Sequence, residues 1–183
     1  MRSITIFRVL LLVGLANLGG LARAGDGPGM AETIAFIRGQ LEDCSTLGHM
    51  YGPKGEVIRV QSDVFASAIS DDPNEESTFT EMVKASEVGK SGWQGNKFTW
   101  TSRLRDLDPR VETGTDAKLG TEYIRLNCTR GACVGMYASG SSHNLEKNLK
   151  AVTFPGCSGG QKERVAKALG RAVELAGGKK SAF

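Results

Sequence analysis

The sequence predicts an α+β fold: an antiparallel β-sheet of about five to seven strands between an N-terminal helix and a C-terminal amphipathic helix. Three observations carry that expectation. Apolar residues recur at helical spacing from Met30 to Cys44, alternation with period two fills the middle of the chain, and helical spacing returns from Val165 to Ala176. No internal repeat and no extended low-complexity tract interrupts this order.

The first 24 residues stand apart. They begin with Arg2 and Arg8, run through a mostly apolar stretch from Val9 to Leu21, and end on Ala22-Arg23-Ala24. A basic start, an apolar middle and a small-x-small end describe a secretory signal peptide, with cleavage expected before Gly25. Retention as an anchor is the alternative, and Gly19-Gly20 with the Ala22–Ala24 site favours cleavage. The expected location is periplasmic or secreted. Residues 25–183, about 159 in number, are expected to form a single exported globular domain with enough chain for a real core. No other apolar run approaches the ~18 to 20 residues of a membrane span.

The leader also explains the charge. The chain carries 23 Lys and Arg against 20 Asp and Glu. Arg2, Arg8 and Arg23 make up the whole excess, because the leader holds no acid, so the exported part is balanced. Balance removes the global electrostatic case for a nucleic-acid partner. The expected partner is an unidentified protein or envelope component, and no cofactor is implied.

Each element has a local justification. Met30, Ile34, Ile37, Leu41 and Cys44 share one helical face, with Arg38, Glu42 and Asp43 elsewhere. Gly48, Gly52, Pro53 and Gly55 then break the pattern. Ile58, Val60, Val64, Ala66 and Ala68 alternate with polar residues, as in one long strand or two short ones. The loop DDPNEES (71–77) follows; its Asp71, Asp72, Glu75 and Glu76 lack calcium-loop spacing and are read as solvated. Phe79–Val88 is compatible with strand or helix, and its Thr, Phe and Val content favours strand. Phe98, Trp100, Ser102 and Leu104 alternate cleanly until Asp108-Pro109, after which a polar loop is expected to about Gly120. Strands are expected near 121–128, 133–138 and 149–154, with the loop ASGSSHN (138–144) between the last two. In the closing helix Val165, Leu169, Ala172, Val173 and Ala176 form the stripe, Ser158 with Gln161 a capping box, and Gly177-Gly178 the stop.

Export places Cys44, Cys128, Cys133 and Cys157 in an oxidising compartment, where pairing is the default. Four cysteines allow three connectivities. Cys128 and Cys133 flank Thr129–Ala132, and a hairpin closed there would set them face to face. Cys44 would then pair with Cys157, tying the first helix to the start of the last. The competing zinc reading of Cys128, Cys133, Cys157 and His143 is weaker, since C-x4-C is an edge case and exported thiols pair. No metal site is expected.

Gly156-Cys157-Ser158-Gly159-Gly160 is the one catalytic-looking motif. It matches the G-x-S-x-G nucleophile elbow between a strand and a helix, yet neither Asp nor His follows Ser158. The same segment resembles the GDSGG of trypsin-like proteases, and His49, Asp106 and Ser158 occur in that family's triad order. Cys157 replaces the aspartate of that motif, and a helix follows the serine directly. The simpler reading makes GCSGG a bridged turn and Ser158 a helix cap. A small serine hydrolase using Ser158 remains the alternative function.

Antiparallel strands closed by one C-terminal amphipathic helix resemble the pleckstrin-homology-like superfold in element order over residues 57–177. The resemblance implies a binding platform for lipids, peptides or proteins, and the extra N-terminal helix departs from it. The leading expectation is thus an exported, non-enzymatic binding or interaction domain held by two disulfides. Its expected contacts are the loop tryptophan Trp93, the strand cations Arg103 and Arg105, and the helix cations Arg164, Lys167 and Arg171. Lys162 extends that basic helix side, for which a solvated face is the plainer account.

Overall fold

The two helical stripes and the alternating middle close into two helices and two antiparallel sheets. The computed structural model describes residues 27–42, 44–65, 68–87, 92, 94–139, 145–157 and 160–180. The leader, Trp93, His143 and Ser158 lie outside the described residues.

Helix α1 (Met30–Glu42) buries Ile34, Ile37 and Leu41, and Cys44 is buried just beyond it. At its start the Gly29 amide donates to the Glu32 carboxylate at 3.3 Å, pairing one of the donors that a helix N-terminus leaves free. Helix α2 (Gln161–Leu175) buries Val165, Leu169, Ala172 and Val173, and Ala176 after it. Gly177, at φ 86°, lets the Gly177 and Gly178 amides turn back to the carbonyls of Glu174 and Val173, a Schellman stop. The start of α2 differs from expectation. Gly160 in the left-handed region is the N-cap and Gln161 the first helical residue, so the capping-box register assigned to Ser158 and Gln161 is wrong by two positions.

The larger sheet follows the order β1 (Ser45–Tyr51), β2 (Val57–Phe65), β3 (Ser77–Glu87), β4 (Gln94–Ser102), β7 (Val134–Ser139) and β8 (Leu145–Leu149). The smaller one joins β5 (Glu112–Thr115), β6 (Glu122–Asn127) and β9 (Ala151–Pro155). The core lies between them: Phe79 of β3 meets Phe154 of β9 with ring centroids 4.9 Å apart, beside buried Ile124, Leu126 and Val152. Both helices pack into the same core through Ile37, Leu41, Val165 and Leu169.

Three strands were not expected from the sequence. The glycine-broken segment after Cys44 contains β1, the polar loop before Gly120 contains β5, and β8 follows the Ser/Gly loop. Leu104 is buried as expected but sits in a 3-10 turn (Leu104–Asp106) that ends β4, because the chain leaves the larger sheet there.

Both expected disulfides are present, Cys44–Cys157 and Cys128–Cys133. The geometry of the second corrects the hairpin expectation. β6 pairs with β5 and β9, whereas β7 pairs with β4 and β8, so the segment between Cys128 and Cys133 crosses from one sheet to the other. The return crossing from β8 to β9 runs beside it. Cys133 N–H donates to the Leu149 carbonyl at 3.0 Å and Cys128 N–H to that of Lys150 at 2.7 Å. The short bridge therefore clamps a double crossover. The long bridge ties the exit of α1 to the entry of α2, and the Arg164 guanidinium lies 5.4 Å over the Phe36 ring further along the same pair. Two such bonds fit a protein of an oxidising compartment. No helix among the described residues is long and apolar enough to cross a membrane.

Loop length separates the two bonds energetically. Their sequence separations are 113 and 5 residues. Chain-entropy bookkeeping gives about 5 kcal/mol for the first and about 2 kcal/mol for the second. Cys44→Ser should accordingly lower the unfolding free energy by more than twice as much as Cys133→Ser, measured by urea denaturation of residues 25–183.

Candidate functional site

The expected cations do not converge on one surface. Arg105 donates to the Asn74 side chain at 2.5 Å and so braces the acidic loop, while exposed Arg103 precedes the 3-10 turn. Arg164 stacks on Phe36, a structural contact between the helices. Lys167 and Arg171 do share a hollow, about 380 Å³ between α2 and the Pro109–Thr113 segment. Glu163 and Glu174 line it as well, and Arg171 lies 3.9 Å from Glu174, so the hollow is balanced in charge. Lys162 is taken by Glu122 at 2.7 Å. Trp93 and Ser158 lie outside the described residues, while His49 is exposed on β1 and Asp106 belongs to the 3-10 turn.

A second surface was not foreseen. Leu47 is 60% exposed, Tyr51 78%, and Met50 and Val57 are exposed beside them. All four belong to the β1–β2 hairpin, whose register sets Tyr51 opposite Val57 and His49 opposite Arg59. Period-two alternation places Leu47, His49, Tyr51, Val57 and Arg59 on one face of that hairpin. This face is an apolar strip with two basic side chains inside it. The strip escaped detection because alternation marks a strand by its buried apolar residues, and here the larger apolar residues point outward.

The hairpin has a second, inward face with a different chemistry. There Ser62 of β2 and Glu81 of β3 look towards the smaller sheet, and Glu81 is only 9% exposed. The Ser62 hydroxyl donates to the Glu81 carboxylate. Beside them a crevice of about 140 Å³ is lined by Val60, Leu119, Tyr123 and Phe154, with Asp116 and Thr121 also on its lining. The loop over it is held firmly. Asp116 accepts the amides of Lys118 and Leu119 at 2.8 and 2.9 Å, and those bonds hold its carboxyl below the usual range. A glycine in β1 allows the loop to dock: a Cβ on Gly48 would lie 2.6 Å from the Thr121 methyl and 2.8 Å from the Leu119 carbonyl.

Burial pushes the Glu81 carboxyl pKa up, and the Ser62 bond opposes this only in part. The ionisable neighbours are Asp116 in the loop and Glu122 on β6 beside Lys162 of α2; among the described residues no Lys or Arg lines the crevice. A raised carboxyl pKa means that the folded state favours the proton. The stability it contributes is complete below the unfolded pKa and is lost as pH rises through the folded one. Above the unfolded pKa the buried carboxyl therefore costs stability.

Glu81→Gln keeps the shape and removes the charge. It should leave the melting temperature almost unchanged at pH 4 and raise it at pH 7.5, with about 1.4 kcal/mol gained per unit of upward pKa displacement. Thermal melts of both proteins at the two pH values check this; an equal effect at both would contradict it.

No family model, curated protein or solved structure matches this chain.

Proposed function

We propose that the protein is an exported interaction domain that contacts a protein partner through the outer face of its β1–β2 hairpin. One observation carries this reading: three of the six exposed large hydrophobic side chains among the described residues, Leu47, Tyr51 and Val57, lie together on that face. Single exposed apolar residues are ordinary, whereas a grouped set of this kind is a mark of recognition surfaces. Tyr51 supplies a large amphipathic contact, and Arg59 favours an acidic rim on the partner. The expected chemistry is an apolar segment flanked by Asp or Glu. The disulfides support the reading by holding the display surface on a frame with little freedom.

The hairpin offers its side chains more than its backbone edge. His49 N–H is directed at the Leu119 carbonyl at 3.4 Å, so the loop over β1 occupies part of the edge that strand addition would need.

A photo-crosslinking amino acid at position 51, installed in the native host, should give a discrete adduct that the same group at exposed position 150 does not. Leu47→Ser with Tyr51→Ser should abolish the competing activity of added protein while changing stability by no more than about 0.5 kcal/mol per site. Equal adducts at both positions would refute the proposed surface. The serine hydrolase alternative is tested separately: a fluorophosphonate adduct on the exported domain that disappears in Ser158→Ala would establish it.

A further inference from the structure

The inter-sheet crevice is lined by three acids and by apolar side chains, and its acids are not equally provided for. Asp116 is served by two loop amides and Glu122 by the Lys162 ammonium at 2.7 Å. Glu81 is the most buried of the three and receives one hydrogen bond among the described residues, from Ser62. An ionised carboxylate offers about four acceptor sites. Burying one with so few donors is costly unless an opposite charge joins it. The walls have the complementary character. Val60, Leu119 and Phe154 provide apolar surface beside the carboxylate, over a volume of about 140 Å³. That is several times the roughly 30 Å³ share of a water molecule.

From this geometry we infer that the crevice binds an alkyl cation, an alkylammonium or alkylguanidinium group, with Glu81 as its buried counter-charge and Ser62 as the residue that orients Glu81. The alkyl stem lies along Val60, Leu119 and Phe154, and the head makes a charge-assisted hydrogen bond to the carboxylate. Asp116 on the lining attracts positive charge without competing for the head, since the loop amides already hold it. The inference is independent of the hairpin surface, which lies on the opposite face of β1 and β2.

Two sources share this chemistry, a free small amine or guanidine and a Lys or Arg side chain of a peptide. Both are tested by NMR titration of the exported, oxidised domain at pH 7.5 and constant ionic strength. The probes are ethylguanidinium, n-butylammonium and the capped tripeptide acetyl-Gly-Arg-Gly-amide. Neutral ethylurea, which copies the shape of ethylguanidinium, is the control. Saturable shifts at the Ser62, Glu81 and Thr121 amides are expected with the cations and not with ethylurea. Glu81→Gln should weaken binding about tenfold or more, as expected when one partner of a desolvated charge pair is removed, while Asp116→Asn should change it by less than about threefold. In the unmutated protein the Glu81 carboxyl pKa, followed through its side-chain ¹³C resonance, should fall when a cation saturates the site. Tighter binding of the tripeptide than of ethylguanidinium assigns the site to a peptide side chain; the reverse order assigns it to a free small cation. Equal shifts with ethylurea, a Glu81 resonance whose titration ignores the probes, or no saturable shift with any of them would overturn the proposal.

Discussion

The Cys44–Cys157 bond holds together the point at which the two helices and the two sheets meet. Cys44 stands between α1 and β1, and Cys157 between β9 and α2. One covalent link thus fixes an edge of the larger sheet, an edge of the smaller sheet and the facing ends of both helices. α1 has 13 residues, a length at which a helix depends on packing more than on its own propensity. Its buried stripe of Ile34, Ile37 and Leu41 has a surface to pack on because the bond brings α2 alongside.

That frame makes the inter-sheet crevice possible. The sheets are pinned at the staple and at the Cys128–Cys133 crossover, and meet through Phe79 and Phe154 in the core. Between these fixed points β2 and β3 present Ser62 and Glu81 to the smaller sheet without packing fully against it. A buried carboxyl that costs stability at neutral pH is tolerated because the surrounding structure is over-determined. Departures from the apolar rule inside a well-specified core are where function is to be sought.

The long, strongly patterned elements were legible in the sequence. α1, α2, β4 and β6 follow stripes whose apolar residues face the core, β3 was favoured as a strand by composition alone, and the expected leader pointed to paired cysteines. β1 was hidden for a physical reason. Its inward positions include Gly48, chosen by the close approach of Thr121, and its outward ones include Leu47 and Tyr51, so its alternation reads backwards. β5 is four residues long with a glycine in it, too short for periodicity to register. Glu81 carried no local signal at all. Within Thr-Glu-Met it reads as an ordinary surface acid, and only the pairing of β3 with β2 and the packing of the smaller sheet make it buried. The expected basic helix side failed as a single patch because Glu122, Phe36 and Glu174 each take a different cation from it.

The organising role of the long staple is tested most directly by hydrogen exchange on the Cys44→Ser, Cys157→Ser double variant against the oxidised protein. Loss of the staple should release the amides of α1 first, with α1 protection falling by several orders of magnitude while β2, β3 and β4 stay protected. Unchanged protection of α1, or a uniform loss across both sheets and both helices, would contradict the account.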